Sequence, residues 1–232
     1  MATDAGQTIV AIERAADVLT LFADADEATL GMTEIAQSLH LSKAVVYRIL
    51  SSFRAKGFVD LDEATRRYSL GPRALHLGLA YQRRTGITTI ARPEMERLSR
   101  ATNETATLSM RTGWARVYVD QVTPNRDVKM VVQPGVEYPL HAGGSSKAFL
   151  AFLTPEEQSE YLARGLAKLT KATPTNVKTL RKELAEIRER GYAQSEGERL
   201  DGAGSVAAPV LGHDGTPVAV ISICGPAERF AA

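Results

Sequence analysis

One cysteine, Cys224, stands in 232 residues, so no internal disulfide can form and no thiol framework is available to staple a small extracellular fold. A reducing compartment is the natural setting, and the expected location is the cytoplasm. Apolar residues make up 44% of the chain, yet no run approaches the roughly 20 residues that a bilayer span requires. No basic-plus-apolar leader precedes the polar stretch Met1–Thr8, so neither secretion nor a membrane partner is expected. Histidine is scarce too. His40, His76, His141 and His213 lie far apart, and none shows metal-ligand spacing with Cys224, so no metal site and no cofactor are expected. The net charge is only +1, which gives no overall excess of one sign. The length suits one large domain or two modest ones, and either can bury a real core.

Charge is present, but it is divided. Residues 1–41 hold seven acids against one base, Arg14, and residues 42–73 hold seven bases against three acids, so the local balance swings from −6 to +4. Clustered cations suit phosphate, because each one near a duplex releases condensed counterions; a solvated face would look the same by charge alone. Ile12, Ala15, Ala16, Leu19 and Phe22 recur at helical spacing and predict a first amphipathic helix. Thr33 is placed to cap a second, with Ile35, Ala36 and Leu39 as its buried stripe. A tight break at His40-Leu41 leads to Ser42, the cap of a third helix that Gly57 ends. On that third helix Val46, Ile49, Leu50 and Phe53 form a core-facing stripe, while Lys43, Ala44, Tyr47, Arg48 and Ser51 fall on the other side. Donors with small neighbours on one face suit a major groove, so this is a helix-turn-helix pattern. Phe58–Leu61, a polar turn and Arg66–Leu70 then read as a β-hairpin, a wing whose Arg66 and Arg67 suit a phosphate backbone or a minor groove.

Thr33-Glu34-Ile35-Ala36, Leu41-Ser42-Lys43, Tyr47-Arg48-Ile49-Leu50, Lys56-Gly57-Phe58 and Tyr68-Ser69-Leu70-Gly71 together resemble the IclR family of bacterial regulators, over nearly the whole chain. His40 stands where the family commonly has Gly, Ser42 where it often has Pro, and Ala44 and Val45 where Ser or Thr are frequent. The resemblance implies an α+β protein: a winged helix-turn-helix over 1–73, a helical connector over 74–89 and, over 90–232, a GAF-like antiparallel sheet with helices that binds an effector and mediates oligomerisation. It further implies a double-stranded DNA operator and a homodimer or a dimer of dimers, with the connector contributing dimer contacts. The resemblance implies about another helix past Gly225-Pro226, whereas this sequence ends at Ala232, which would alter assembly or leave part of the sheet uncovered.

The residues of the second half agree on class. Leu75 and Leu79 predict a helix to about Arg84, Gly86 interrupts it, and Ile90, Met95 and Leu98 mark another. Alternation then predicts strands near 105–110, 116–122, 129–132, 192–195, 205–211 and 217–223, with helices near 147–153, 155–163 and 177–190. Small residues at Ala142–Ser146 just before a helix offer backbone N–H groups to an anion, although they would equally serve a tight turn. By resemblance the effector pocket falls on Met130, Tyr138, Gly144, Ser145, Ser195, Ala203, Ser205, Ser222 and Cys224; Ser195 replaces a carboxylate found in some relatives, and Ser146 replaces a Gly. A small organic acid, a carboxylate, is the implied ligand.

Catalytic motifs fail one by one. Lys147 lacks the preceding Gly and the following Ser or Thr of a phosphate loop. Gly144 stands where a Ser-x-x-Lys nucleophile should be, and Ser205 is followed by Val206-Ala207, which is no nucleophile elbow. No catalytic residue is expected. The leading expectation is a ligand-responsive transcription regulator, a repressor relieved by a small organic acid. The alternative is a small-molecule-binding protein or enzyme whose N-terminal module mediates protein contacts.

Overall fold

A computed structural model of the chain describes residues 8–25 and 27–230. The chain divides into two compact units, Met1–Thr85 and Gly86–Ala232.

In the first unit, helices α1 (Val10–Asp24), α2 (Met32–Ser38) and α3 (Lys43–Ala55) pack with a three-stranded antiparallel sheet ordered β1 (Leu30–Gly31), β3 (Arg67–Leu70), β2 (Val59–Asp62). Val18, Phe22, Ile35, Ala36, Val46, Leu50, Val59 and Tyr68 form its core. Ser42 caps α3, its Oγ accepting from the Val45 amide at 3.4 Å, and Gly57 leaves that helix at φ +73°. His40, in the turn between α2 and α3, adopts φ +51°, a left-handed conformation usually left to Gly or Asn. Two expectations are corrected. Thr33 is not the cap of α2 but its second residue; Gly31 precedes the helix, and its N–H donates to Glu34 Oε2 at 2.8 Å. The buried stripe of α1 is Val18 and Phe22, flanked by partly buried Leu19 and Leu21. Ile12 and Ala16 face outward, because only the C-terminal half of the helix lies over the core. Helix α4 (Pro72–Thr85) ends the unit and leaves Leu75, Leu77, Leu79 and Tyr81 exposed.

In the second unit, α5 (Ile87–Thr102) follows Gly86, whose φ of +61° separates it from α4. The strands β4 (Thr105–Thr112), β5 (Ala115–Val122), β6 (Glu137–Pro139), β7 (Ala193–Glu196), β8 (Ala203–Leu211) and β9 (Pro217–Pro226) form one antiparallel sheet ordered β6-β5-β4-β9-β8-β7. Residues of α5 (Ala91, Met95) cluster with Ala106, Leu108, Ala219, Ile221 and Ile223. Next to α5 that face keeps a groove of about 310 Å³ lined by Leu98, Val206, Val210, Ile221 and Ile223 among others. Helices α6 (Gly144–Phe152), α7 (Pro155–Ala163) and α8 (Val177–Arg190) build a second cluster, in which Phe149, Leu150, Leu180, Leu184 and Ile187 meet Ala193, Ala207 and Val220.

One predicted strand is absent. Residues 129–132 run alongside the sheet without joining it, because the Gln121 side chain takes the place of a partner strand: its Nε2 donates to the Val132 carbonyl at 2.9 Å and its Oε1 accepts from the Val132 amide at 3.0 Å. The edge strand on this side is β6, paired with β5 through Arg116↔Tyr138. After β9 a short turn, Ala227–Arg229, returns the chain to the sheet, with the Ala227 amide donating to the Gly202 carbonyl at 2.8 Å.

Candidate DNA-binding face and ligand pocket

Helix α3 has two unlike sides. Val46 and Leu50 are fully buried, whereas Lys43, Ala44, Tyr47, Arg48 and Ser51 are all exposed, Tyr47 by 57%. A large aromatic left in water beside a guanidinium, on a helix whose other side anchors the core, is a surface available to a partner. Among the described residues neither Lys43 nor Arg48 makes an ion pair, while the nearby Arg54 and Arg66 share Glu63 at 2.9 and 2.6 Å. Thr33 and Ser42 lie at or near the starts of α2 and α3.

The two wing arginines differ. Arg66 stands at the hairpin turn with φ +58° and a mostly exposed side chain. Arg67 is committed inside its own unit: it ion-pairs with Glu27 at 2.6 Å and Glu34 at 3.0 Å, and donates to the Thr29 hydroxyl and carbonyl, each at 2.8 Å. Its donors are spent on tying the wing to the start of α2. The Gly31 amide and the Arg67 guanidinium in turn hold the Glu34 carboxyl below its usual range.

In the second unit, strand register gathers the expected pocket residues into rows. Ser195, Ser205, Cys224 and Thr105 are successive cross-strand partners, as are Ala193, Ala207, Ser222 and Thr107 one step along. Both rows point toward α6, since successive side chains alternate across a sheet and Ala193, Ala207 and Val220 pack against that helix. A small cavity of about 20 Å³ is bounded by Met130, Gly144, Ser145, Ser195, Ala203, Ser205 and Cys224, together with Arg116, Tyr118, Arg199 and Leu200. Ser222 sits behind it, hydrogen-bonded to Thr107 at 2.6 Å and accepting from Ser145 Oγ at 2.9 Å. Tyr138 flanks it, with the guanidinium of Arg116 at 5.1 Å and that of Arg199 at 4.7 Å from its ring centre. Burial pushes the Cys224 thiol up to about 11, so it stays protonated and inert near neutral pH.

The start of α6 does not offer its N–H groups as freely as the small-residue stretch suggests. The Gly143 amide donates to Glu198 Oε2 at 2.9 Å and the Gly144 amide to Ser205 Oγ at 3.3 Å. Glu198 is itself neutralised by fully buried Lys147, which also pairs with Glu183. The helix terminus thus already holds an anion of the chain's own. The cation left over is Arg116, which sequence reasoning missed. It is 1% exposed, and it donates to Ser146 Oγ at 2.8 Å, Tyr118 OH at 3.0 Å and Ser109 Oγ at 3.3 Å. Its guanidinium lies 4.3 Å from the Tyr118 ring centre. Burial lowers its pKa, yet a guanidinium remains charged at any working pH. No carboxylate pairs with it among the described residues. The signal that could have found it is Ser146, whose hydroxyl in the small-residue stretch supplies the acceptor for Arg116 Nε.

A core-anchored helix with an open polar face in one unit, and a sheet-and-helix cavity with a buried cation in the other, define a DNA-binding protein with a separate ligand-sensing domain. Comparisons agree with that class. Residues 11–63 match the model of the IclR helix-turn-helix domain, and residues 79–232 match that of the bacterial transcriptional regulator IclR C-terminal domain. The chain belongs to the IclR family of bacterial transcriptional regulators. It is 36% identical over 223 residues to the HTH-type transcriptional regulator BhcR of Paracoccus denitrificans, covering 96% of this chain and 79% of that one. It is 34% identical over 224 residues to the glycerol operon regulatory protein of Streptomyces griseus (97% and 87% covered) and 31% identical over 221 residues to the transcriptional repressor AllR of Escherichia coli (95% and 81%). An IclR transcriptional regulator from Alicyclobacillus acidocaldarius superposes with a TM-score of 0.86 at 28% identity, covering 95% of this chain and 89% of that one. Among the described residues no helix is long and apolar enough to cross a membrane.

Proposed function

We propose that this regulator is a repressor that grips its operator through α3 and the wing and lets go when a small organic acid enters the second unit. The observation that carries the reading is the division of α3, with Val46 and Leu50 sealed in the core and Lys43, Ala44, Tyr47, Arg48 and Ser51 presented to solvent. In a major groove Arg48 reaches guanine or phosphate, Tyr47 and Ser51 add contacts, and Ala44 permits close approach. Lys43, Ser42 and Thr33 lie at the helix starts, where phosphates are held, and Arg66 extends the contact along the backbone. Arg67 braces the wing rather than touching DNA.

The acid binds among Met130, Gly144, Ser145, Ser195, Ala203, Ser205 and Cys224, beside Tyr138 and over Ser222, and is bound rather than transformed. A cavity of about 20 Å³ holds little more than one water, so admission of the acid displaces the Arg199–Leu200 segment that borders it. That coupling between ligand and loop is the start of the switch. DNA as the partner places the protein in the cytoplasm, and paired half-sites call for a homodimer or a dimer of dimers.

Fluorescence polarisation on DNA upstream of the protein's own operon tests both halves. Binding is expected to fall about tenfold or more in Arg48→Ala and to hold in Lys182→Ala, whose side chain projects from α8 beside Glu186. A carboxylate panel is expected to release the wild-type complex. Equal effects of the two variants would remove α3 from the interface. Intact complexes throughout the panel would remove the acid.

A further inference from the structure

Charge around the small cavity does not balance. Arg116 and Arg199 both border it. Of the carboxylates nearby, Glu198 faces Lys147 and the Gly143 amide, and Glu104 is paired through Oε1 with Arg126 at 2.8 Å and Arg229 at 2.9 Å, while its buried Oε2 has no hydrogen-bond partner among the described residues. Ser195 brings no charge. Among the described residues neither Arg116 nor Arg199 has an ion-pair partner.

The donors of Arg116 can be counted. A guanidinium has five N–H groups, and Ser146, Ser109 and Tyr118 take three, leaving one on each terminal nitrogen. Two parallel N–H groups are what a carboxylate accepts best. Arg199, by contrast, is half-exposed, and its contact is the Tyr138 ring, which Arg116 also approaches. Two cations approaching one ring repel each other, and that repulsion is relieved by an anion placed between them. Arg116 lies at the inner end and Arg199 at the mouth. One monocarboxylate neutralises only one of them.

We infer that the effector is a small dianion, a short dicarboxylic acid, with one carboxylate held by Arg116 and the Ser205 hydroxyl and the other by Arg199. This rests on the reading that the cavity is the effector site. The ring of Tyr138 forms the wall that both guanidiniums approach, and the hydroxyl of Ser205, which accepts from the Gly144 amide and keeps its own proton to donate, serves the inner carboxylate. Arg199 is the selectivity residue, since removing it leaves the inner anchor intact.

Isothermal titration of the full chain with malonate and succinate, each against its own monoamide, tests the charge count at nearly constant shape. The diacid is expected to bind at least about tenfold more tightly than the monoamide. In Arg199→Gln that preference is expected to vanish while the monoamide still binds, which also shows that the variant is folded. Equal binding of diacid and monoamide by the wild type would overturn the dianion and leave a carboxylate effector standing. A preference that survives in Arg199→Gln would overturn the part given to Arg199. Binding of neither class would sink the effector reading itself, and the dianion with it.

Discussion

At the scale of single residues, His40 shows what this sequence tolerates. A non-glycine residue at φ +51° costs about 1–2 kcal/mol in Cβ crowding, while replacing it by Gly gives back about 0.5–1 kcal/mol in lost backbone restriction. The first effect is the larger. His40→Gly is therefore expected to stabilise the first unit by about 0.5–1 kcal/mol, read as a rise in the denaturant midpoint of its unfolding; an unchanged or lower midpoint would mean that the imidazole makes a compensating contact. The turn itself was legible, since His40-Leu41 interrupts two apolar periodicities. Arg116 was not. A basic residue in a strand ordinarily points to water, and only packing reveals that it lies on the same side of the sheet as Tyr118, under Ser146. The serine rows of the pocket could be expected by resemblance, but their alignment across β4, β9, β8 and β7 depends on strand register, which no local pattern states.

Among the elements, those with long periodicity and a clear stop were readable: α3 from Ser42 to Gly57, and α8 to Gly191 at φ +84°, although its cap, Asn176, whose Oδ1 accepts from the Thr179 amide, went unread. The segment 129–132 misled because alternation reports which side chains face inward, not whether the backbone has a strand beside it. Gln121 supplied the missing donor and acceptor from a side chain. Helix α7 carries a further consequence. Thr154 and Glu157 form a reciprocal cap at its start, and Arg111 from β4 reaches Glu157 at 2.8 Å. Partial burial pushes the Glu157 carboxyl up, but the Arg111 guanidinium and the Thr154 amide outweigh it and hold the pKa below its ordinary 4.5. A carboxyl depressed by folding adds stability above its unfolded pKa and loses it as pH falls through the folded one. The second unit should accordingly be more stable in the wild type than in Glu157→Gln at pH 7, with the gap closing below about pH 4.5. Urea titrations at several pH values measure it, and a gap independent of pH would mean that Glu157 acts by shape alone.

For the molecule as a whole, α4 bears on how many copies meet one operator. Helix α4 leaves Leu75, Leu77, Leu79 and Tyr81 in water, and contiguous exposed apolar surface marks sites of protein contact. Leu75 and Leu79 are one turn apart on the same side. If a second copy covers them, the two α3 helices are held as a pair, and operator affinity includes the free energy of that pairing. Two charges introduced there, in Leu75→Glu/Leu79→Glu, are expected to shift sedimentation equilibrium toward monomer by tenfold or more. The salt dependence then provides an independent count. Each phosphate neutralised contributes about −0.9 to the slope of log K against log salt, so a pair makes twice the contacts of a single copy. The variant should bind operator with about half the wild-type slope as well as lower affinity. An unchanged slope together with an unchanged oligomeric state would place the dimer contact elsewhere. A halved slope without dissociation would mean that α4 orients the two recognition helices instead of holding the copies together.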